Sequence, residues 1–225
     1  MLRIYLSGRM TIEAGDVVMG PGDFPGQQGR LVFALLAGDR GAVTRAALSD
    51  ALWPAGAPPS AGTALSSILS KLRTMLGRAG LDAAEALSTR DACYELRLPR
   101  GTWIDHEVAA DSIHEAEAAL RSGDHATAYG PSAVAHHIAR RPFLIGDEGE
   151  WVEQQRNRRA GHRGEGFHLS VSLSVGQRAR VGDLAAGREA LVLEHFLRTF
   201  HVHDHHAARE WDHRRHRHGD DHHQP

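Results

Sequence analysis

Alternating apolar and polar positions predict two short β hairpins in the first hundred residues. Residues 2–6 and 10–14 alternate on either side of a turn at residues 7–9, and this period of two is typical of half-buried strands. Residues 86–90 and 93–98 alternate in the same way. We therefore expect one hairpin at the start of the chain and a second one shortly before residue 100.

Between these hairpins, apolar side chains recur at helical spacing in three segments. One helix is predicted over residues 27–37; a second is expected after Thr44 as its N-cap and ends before Pro54. A third helix of about four turns is expected after Ser60, which would cap it. Its inward face is formed by Ala61, Leu65, Ile68, Leu69, Leu72, Met75 and Leu76. The order of strand pair, three helices and strand pair predicts an α+β winged helix-turn-helix over residues 1–100, whose third helix would enter the major groove of DNA.

From residue 103 onward the pattern changes to helices alone. Helices are predicted over residues 107–121, 131–140, 149–160, 165–174 and 177–194. Pro131 suits the first position of the second of these helices. Helical hairpins of this length stack side by side, so the pattern predicts an all-α, TPR-like solenoid over residues 103–200. Asp105, His106 and Glu107 are expected in a linker near the junction of the two halves.

The last residues, 201–225, are rich in His, Arg and Asp and offer almost nothing that a core could bury, which predicts a disordered tail. Imidazoles one residue apart can chelate a divalent metal. The same residues are also explained by a tail that binds metal only in the way that an affinity tag does. We therefore assign no metal site. The abrupt break in composition also suggests the hypothesis that a frameshift produced this tail.

The overall composition bounds the class of protein. The longest apolar run, residues 31–37, is far shorter than the roughly 20 residues that cross a bilayer. With one cysteine, Cys93, the chain cannot form an intrachain disulfide. We expect a cytoplasmic protein that is associated with the nucleoid. Residues 1–100 carry a net charge of +2 and the remainder −4, which agrees with an N-terminal half that faces nucleic acid.

No enzyme signature is complete in the sequence. Residues 114–118 begin as a zinc-protease helix does, but Ala118 stands where the second histidine is required. The only lysine, Lys71, follows a serine rather than a glycine-rich loop, which excludes a Walker A motif. We expect neither enzymatic activity nor a cofactor.

The outward face of the third predicted helix is short, polar and basic. No acidic residue occurs over residues 60–81, and duplex DNA is bound by cations for its phosphates and by small polar groups for its base edges. Arg90, at the tip of the second hairpin, is placed to reach a phosphate or the minor groove. The candidate DNA contacts are Thr63, Ser66, Ser67, Ser70, Lys71, Arg73, Thr74 and Arg90. Taken alone, the helix face also fits an ordinary solvated surface.

Several stretches resemble a known family. Residues 48–53, the Pro58-Pro59 loop and residues 64–73 are similar to the OmpR-type winged helix of actinobacterial antibiotic-pathway regulators. The helical half resembles the bacterial transcriptional activation domain that follows it in those proteins. Asp105 matches a family position, and similar stretches lie at residues 141–144, 146–149, 151–153, 156 and 193–196. The resemblance covers about residues 1–200.

This resemblance implies a transcriptional activator that binds direct repeats in promoter DNA as side-by-side dimers. It also implies that the loop from Pro54 to Ser60 contacts RNA polymerase, although a proline-stiffened connector explains the loop equally well. The chain departs from the family at the wing, where Ala92-Cys93 replace a Gly-Gly step, and in lacking further repeat helices. These departures favour the alternative of a protein-interaction module whose DNA binding has decayed; metal binding by the tail is a third, weaker alternative.

Overall fold

The computed structural model describes residues 1–38 and 41–159, which contain seven strands and seven α-helices. The strands are β1 (Leu2–Tyr5), β2 (Thr11–Ala14), β3 (Val17–Met19), β4 (Val43–Thr44), β5 (Leu87–Arg90), β6 (Cys93–Leu96) and β7 (Trp103–Ile104). The helices are α1 (Gly26–Gly38), α2 (Arg45–Leu52), α3 (Ala61–Arg78), α4 (Ala83–Ala86), α5 (Asp105–Arg121), α6 (His125–Ala139) and α7 (150–159). None of the helices described is both long and apolar enough to cross a membrane.

The strands form two sheets, in the orders β3-β2-β1-β7 and β4-β6-β5. Both predicted hairpins are confirmed, as the antiparallel pairs β1–β2 and β5–β6. Strands β3, β4 and β7 were not predicted, because two or three residues are too few to display an alternating pattern. One of them, β7, runs parallel to β1 in the first sheet.

The three predicted helices of the N-terminal half are confirmed as α1, α2 and α3. Thr44 caps α2 as expected, since its side chain accepts a hydrogen bond from the backbone N–H of Ala47 at 3.1 Å. Ser60 occupies the N-cap position of α3, but its side chain makes no capping hydrogen bond. The predicted apolar face of α3 is buried apart from Ala61, which is half-buried.

Helices α5 and α6 pack against each other as one helical hairpin. The prediction that the second helix starts at Pro131 is wrong, because α6 begins at His125 and contains Pro131 in its interior. Asp124 starts this helix by accepting a hydrogen bond from the backbone N–H of Thr127 at 3.0 Å, and Ala128, in the turn before the proline, is buried. The predictions for residues 160–225, including the remaining solenoid helices and the tail, lie outside the described residues.

Residue 105 joins the two halves without a linker. The expectation of a linker at residues 105–107 is wrong, because Asp105 is buried and is the first residue of α5. Its Oδ2 accepts hydrogen bonds from the backbone N–H groups of Leu6 at 2.9 Å and Ser7 at 2.6 Å. Burial raises the pKa of this carboxyl, and the three backbone hydrogen bonds and Arg159 oppose the shift. The carboxylate therefore fastens the end of β1 to the start of α5.

A second connection is made by residues 141–149, which we call the return segment. Its backbone runs along the first hairpin, with hydrogen bonds from Gly8 N to Pro142 O at 2.7 Å and from Leu144 N to Leu6 O at 2.8 Å. Leu144 is buried with a left-handed backbone (φ 47°). Arg156 on α7 fixes this bend by donating to the carbonyl oxygens of residues 143, 144 and 147.

The return segment is also tied to α1 by an ion pair. Arg30 Nε donates to both carboxylate oxygens of Asp147 at 2.9 Å, and Arg30 Nη2 donates to Oδ1 at 2.6 Å. The side chains are 18% and 4% exposed. Helix α1 therefore contacts the helical half directly.

Candidate nucleic-acid interface

The interface is built on the outward face of α3. Leu65, Leu69, Leu72 and Leu76 are buried, and because residues three and four apart share one side of a helix, their burial fixes the opposite side in solvent. Six of the eight predicted DNA contacts lie on that side and are exposed. These are Thr63, Ser66, Ser67, Ser70, Lys71 and Thr74.

Two hydroxyls of this face are oriented by the helix itself. Ser66 Oγ donates to Gly62 O at 2.9 Å, and Thr74 Oγ1 donates to Ser70 O at 3.2 Å. A hydroxyl that has given its proton to the backbone still has lone pairs to accept with. Both side chains therefore present acceptors, which suits the amino groups of adenine or cytosine in the major groove.

The wing is the β5–β6 hairpin, and its turn tolerates the missing glycines. Arg90 pairs with Cys93, so residues 91 and 92 form a two-residue turn. Both have a positive φ, 50° at Asp91 and 59° at Ala92, as in the type I′ turns that match the twist of hairpin strands. The last strand residue before the turn, Arg90, is exposed as predicted.

Ala92→Gly is expected to stabilise the protein by about 0.5–1 kcal/mol, because the left-handed conformation is costly for alanine and free of strain for glycine. Chemical denaturation followed by circular dichroism measures this change. Ala79, with φ −77° and a buried methyl group, provides the contrasting control, and A79G should lower stability. A destabilised A92G variant would contradict the strain assigned to the turn.

Arg73 differs from the other predicted contacts because its guanidinium points to the wing. Its Nε donates to Leu87 O at 3.0 Å and its Nη2 donates to Thr89 Oγ1 at 2.8 Å. The side chain is only half-exposed. The structure thus joins Arg73 on α3 to β5, a contact between residues that local pattern could not relate.

Arg45, the first residue of α2, was missed by the sequence analysis. A Cβ atom at Gly62 would lie 2.5 Å from Arg45 Nη2, so the guanidinium lies against the first turn of α3. The exposed Arg45 therefore adds a cation to this end of the face. In the sequence, Arg45 is only an arginine directly after a helix N-cap. Its position beside the face depends on how α2 packs against α3.

Two further arginines near the interface are held in ion pairs. Arg78 at the end of α3 pairs with Asp23 at 3.0 Å, and Arg97 pairs with Glu95 at 2.7 Å. Among the residues described, no group of three or more His, Cys, Asp or Glu side chains could hold a metal ion. Lys71 and Arg90 are the exposed cations that the sequence analysis and the structure place on the helix face and the wing tip.

The architecture is an N-terminal region of strands and helices followed by further helices. Its fold is similar to that of EmbR from Mycobacterium tuberculosis, solved in complex with a low-affinity phosphopeptide, with a TM-score of 0.69 and 25% sequence identity. The match covers 86% of this chain and 50% of that one, so the chain spans about half the length of EmbR. EmbR is a regulator of the antibiotic-regulatory type, which supports the family resemblance seen in the sequence. No protein-family model and no curated protein sequence matches the chain.

Proposed function

We propose that this chain is a sequence-specific, DNA-binding transcriptional regulator without enzymatic activity. Residues 1–100 form its winged-helix DNA-binding domain and residues 103–200 a helical domain of the transcriptional activation type. The observation that carries the proposal is the exposed face of α3, which combines hydroxyls with Lys71 and contains no carboxylate over residues 60–81. The fold match to a regulator supports the same function.

When the protein binds duplex DNA, the cation and the hydroxyls of this face would make different contacts. Lys71 contacts a phosphate or a guanine, and the hydroxyls of Ser66, Ser67 and Ser70 meet base edges directly or through water. Thr63 and Thr74 extend this row toward the two ends of α3. At the wing, Arg90 reaches the minor groove or a phosphate, and Arg45 supplies a further phosphate contact beside Gly62.

The protein acts, in this proposal, as a cytoplasmic activator that binds direct repeats as a homodimer. The loop of residues 54–60 contacts RNA polymerase. Every residue of this loop is exposed, and it lies between the two helices α2 and α3 without taking part in the candidate DNA face. A surface of proline, alanine and glycine would offer polymerase an apolar contact rather than an ionic one.

The proposal is tested by incubating the full-length protein with fragmented genomic DNA at about physiological salt, where non-specific contacts are weakened. Sequencing of the retained fragments should reveal a direct repeat spaced by about one helical turn. Absence of enrichment, from protein shown to be folded, would contradict DNA binding. That result would favour the alternative of an interaction module, with its partner sought on the helical half.

Lys71→Ala is expected to reduce the salt dependence of binding to a retained fragment. The slope of log affinity against log salt concentration should become shallower by about 0.9 per subunit if Lys71 neutralises one phosphate. Arg78→Ala is the matched control, because Arg78 lies on the same helix but pairs with Asp23. A slope that is unchanged in K71A would contradict the phosphate contact.

A further inference from the structure

Arg73 bridges the candidate recognition helix and the wing. Its two hydrogen bonds end on residues 87 and 89, which lie two apart along β5. Side chains two apart on a strand point to the same face, and Leu87 on that face is buried in the core. Arg90, the next residue, projects to the opposite face.

The bridge covers part of a free edge of the second sheet. In the order β4-β6-β5, strand β5 has a neighbour on one side only. An edge strand presents unpaired backbone groups on its outer side, and Arg73 Nε satisfies one of them, the carbonyl oxygen of Leu87. Because the second bond reaches Thr89 Oγ1, the guanidinium holds β5 at two points, one immediately before Arg90.

We infer that Arg73 is a positioning residue for the wing rather than a phosphate contact. It sets the place of β5 relative to α3 and thereby determines where Arg90 meets the DNA. Turning the guanidinium toward a phosphate would break both bonds to β5 and leave the Leu87 carbonyl oxygen without this donor. The inference rests on the proposed DNA binding and assigns to Arg73 a different role from that of Lys71.

The first test compares Arg73→Ala and Thr89→Val with K71A on a DNA fragment that the wild-type protein retains. T89V removes only the acceptor and keeps the branched side chain, so it remains informative even if R73A fails to fold. Both variants are expected to lose about tenfold in affinity, the effect of one or two hydrogen bonds, and to share one slope of affinity against salt, because each acts through the position of Arg90. K71A should show a slope shallower than that of the wild-type protein, and Thr89→Ser should keep wild-type affinity.

A second readout identifies the residue through which Arg73 acts. If Arg73 works by presenting Arg90, the double variant R73A/R90A should bind no more weakly than the weaker single variant, because the two losses are not additive. Losses that add fully would overturn the inference. A slope made shallower by about 0.9 in R73A but not in T89V would also overturn it, because that difference is the signature of a phosphate contact made by Arg73 itself.

A third readout requires no DNA. Backbone amides of residues 87–96 should exchange with deuterium faster in R73A and in T89V than in the wild-type protein, since the wing has lost its attachment to α3. Unchanged exchange would overturn the inference whatever the DNA result. Failure of the wild-type protein to retain any DNA would instead overturn the proposed function, so the two failures are distinguishable.

Discussion

Asp147→Ala is expected to lower the free energy of unfolding by about 3 kcal/mol, because it leaves the guanidinium of Arg30 largely buried without its partner. Asp147 is 4% exposed and accepts three hydrogen bonds from Arg30. Removing one member of such a pair costs more than the pair itself contributes, since the remaining charge has lost both its counter-ion and its water. Urea denaturation of the purified full-length variant, followed by tryptophan fluorescence, measures the change.

An exposed ion pair provides the control for D147A. Glu95→Ala breaks the pair with Arg97, whose side chains are 34% and 55% exposed, and should cost less than about 1 kcal/mol. The double variant R30M/D147L should recover much of the stability, because an apolar pair of similar size needs no counter-ion. A D147A variant as stable as E95A would contradict the importance of the connection between α1 and the return segment.

Asp105→Ala is expected to cost about 3 kcal/mol at neutral pH, because the buried N–H groups of Leu6 and Ser7 would lose their acceptor. Burial raises the pKa of Asp105 above its ordinary value, so the folded state binds the proton more tightly than the unfolded chain. The stability that comes from binding this proton is fully present below the pKa of Asp105 in the unfolded chain. It is lost as the pH rises through the raised pKa of the folded state. The difference between wild type and D105A should therefore be larger at pH 4 than at pH 7.

Asp105→Asn separates the hydrogen bonds that this side chain accepts from its titration. An amide oxygen can still accept the hydrogen bonds from Leu6 and Ser7, which Oδ2 accepts in the wild-type protein. The variant should therefore be more stable than D105A. Because asparagine does not titrate, the pH-dependent part should disappear. Parallel pH profiles for the wild-type protein and D105N would contradict the raised pKa.

Helices α1, α2 and α3 and the two hairpins of the N-terminal half were predictable because their signals are local. The spacing of Leu65, Leu69, Leu72 and Leu76 defines the buried side of α3 without reference to any other element, and the exposed side follows from it. The same argument located Lys71 and the hydroxyls on one face. Arg90 was predictable as a hairpin tip because the two strands alternate on either side of it.

Contacts between distant residues could not be read from the sequence. Arg73 looked like a member of the exposed face, since helical spacing does not show that β5 passes close enough to accept its hydrogen bonds. Asp105 looked like a linker residue, because its partners are backbone groups nearly a hundred positions earlier. The start of α6 was misplaced for a different reason, because Pro131 suits a first helical position, whereas the helix begins after the Asp124 cap and contains the proline in its interior.

The pairing of β1 with β7 has a consequence for the order in which the chain folds during synthesis. The ribosome completes β1, α1 and α3 before it makes Trp103, Ile104 and Asp105, so a nascent chain of a hundred residues has neither the parallel neighbour of β1 nor the acceptor for Leu6 and Ser7. The counter-ion of Arg30 follows more than forty residues later. The N-terminal half therefore reaches its final hydrogen bonding only after the return segment has emerged, and an expression fragment that ends at residue 100 would keep the incompletely bonded sheet of that nascent chain.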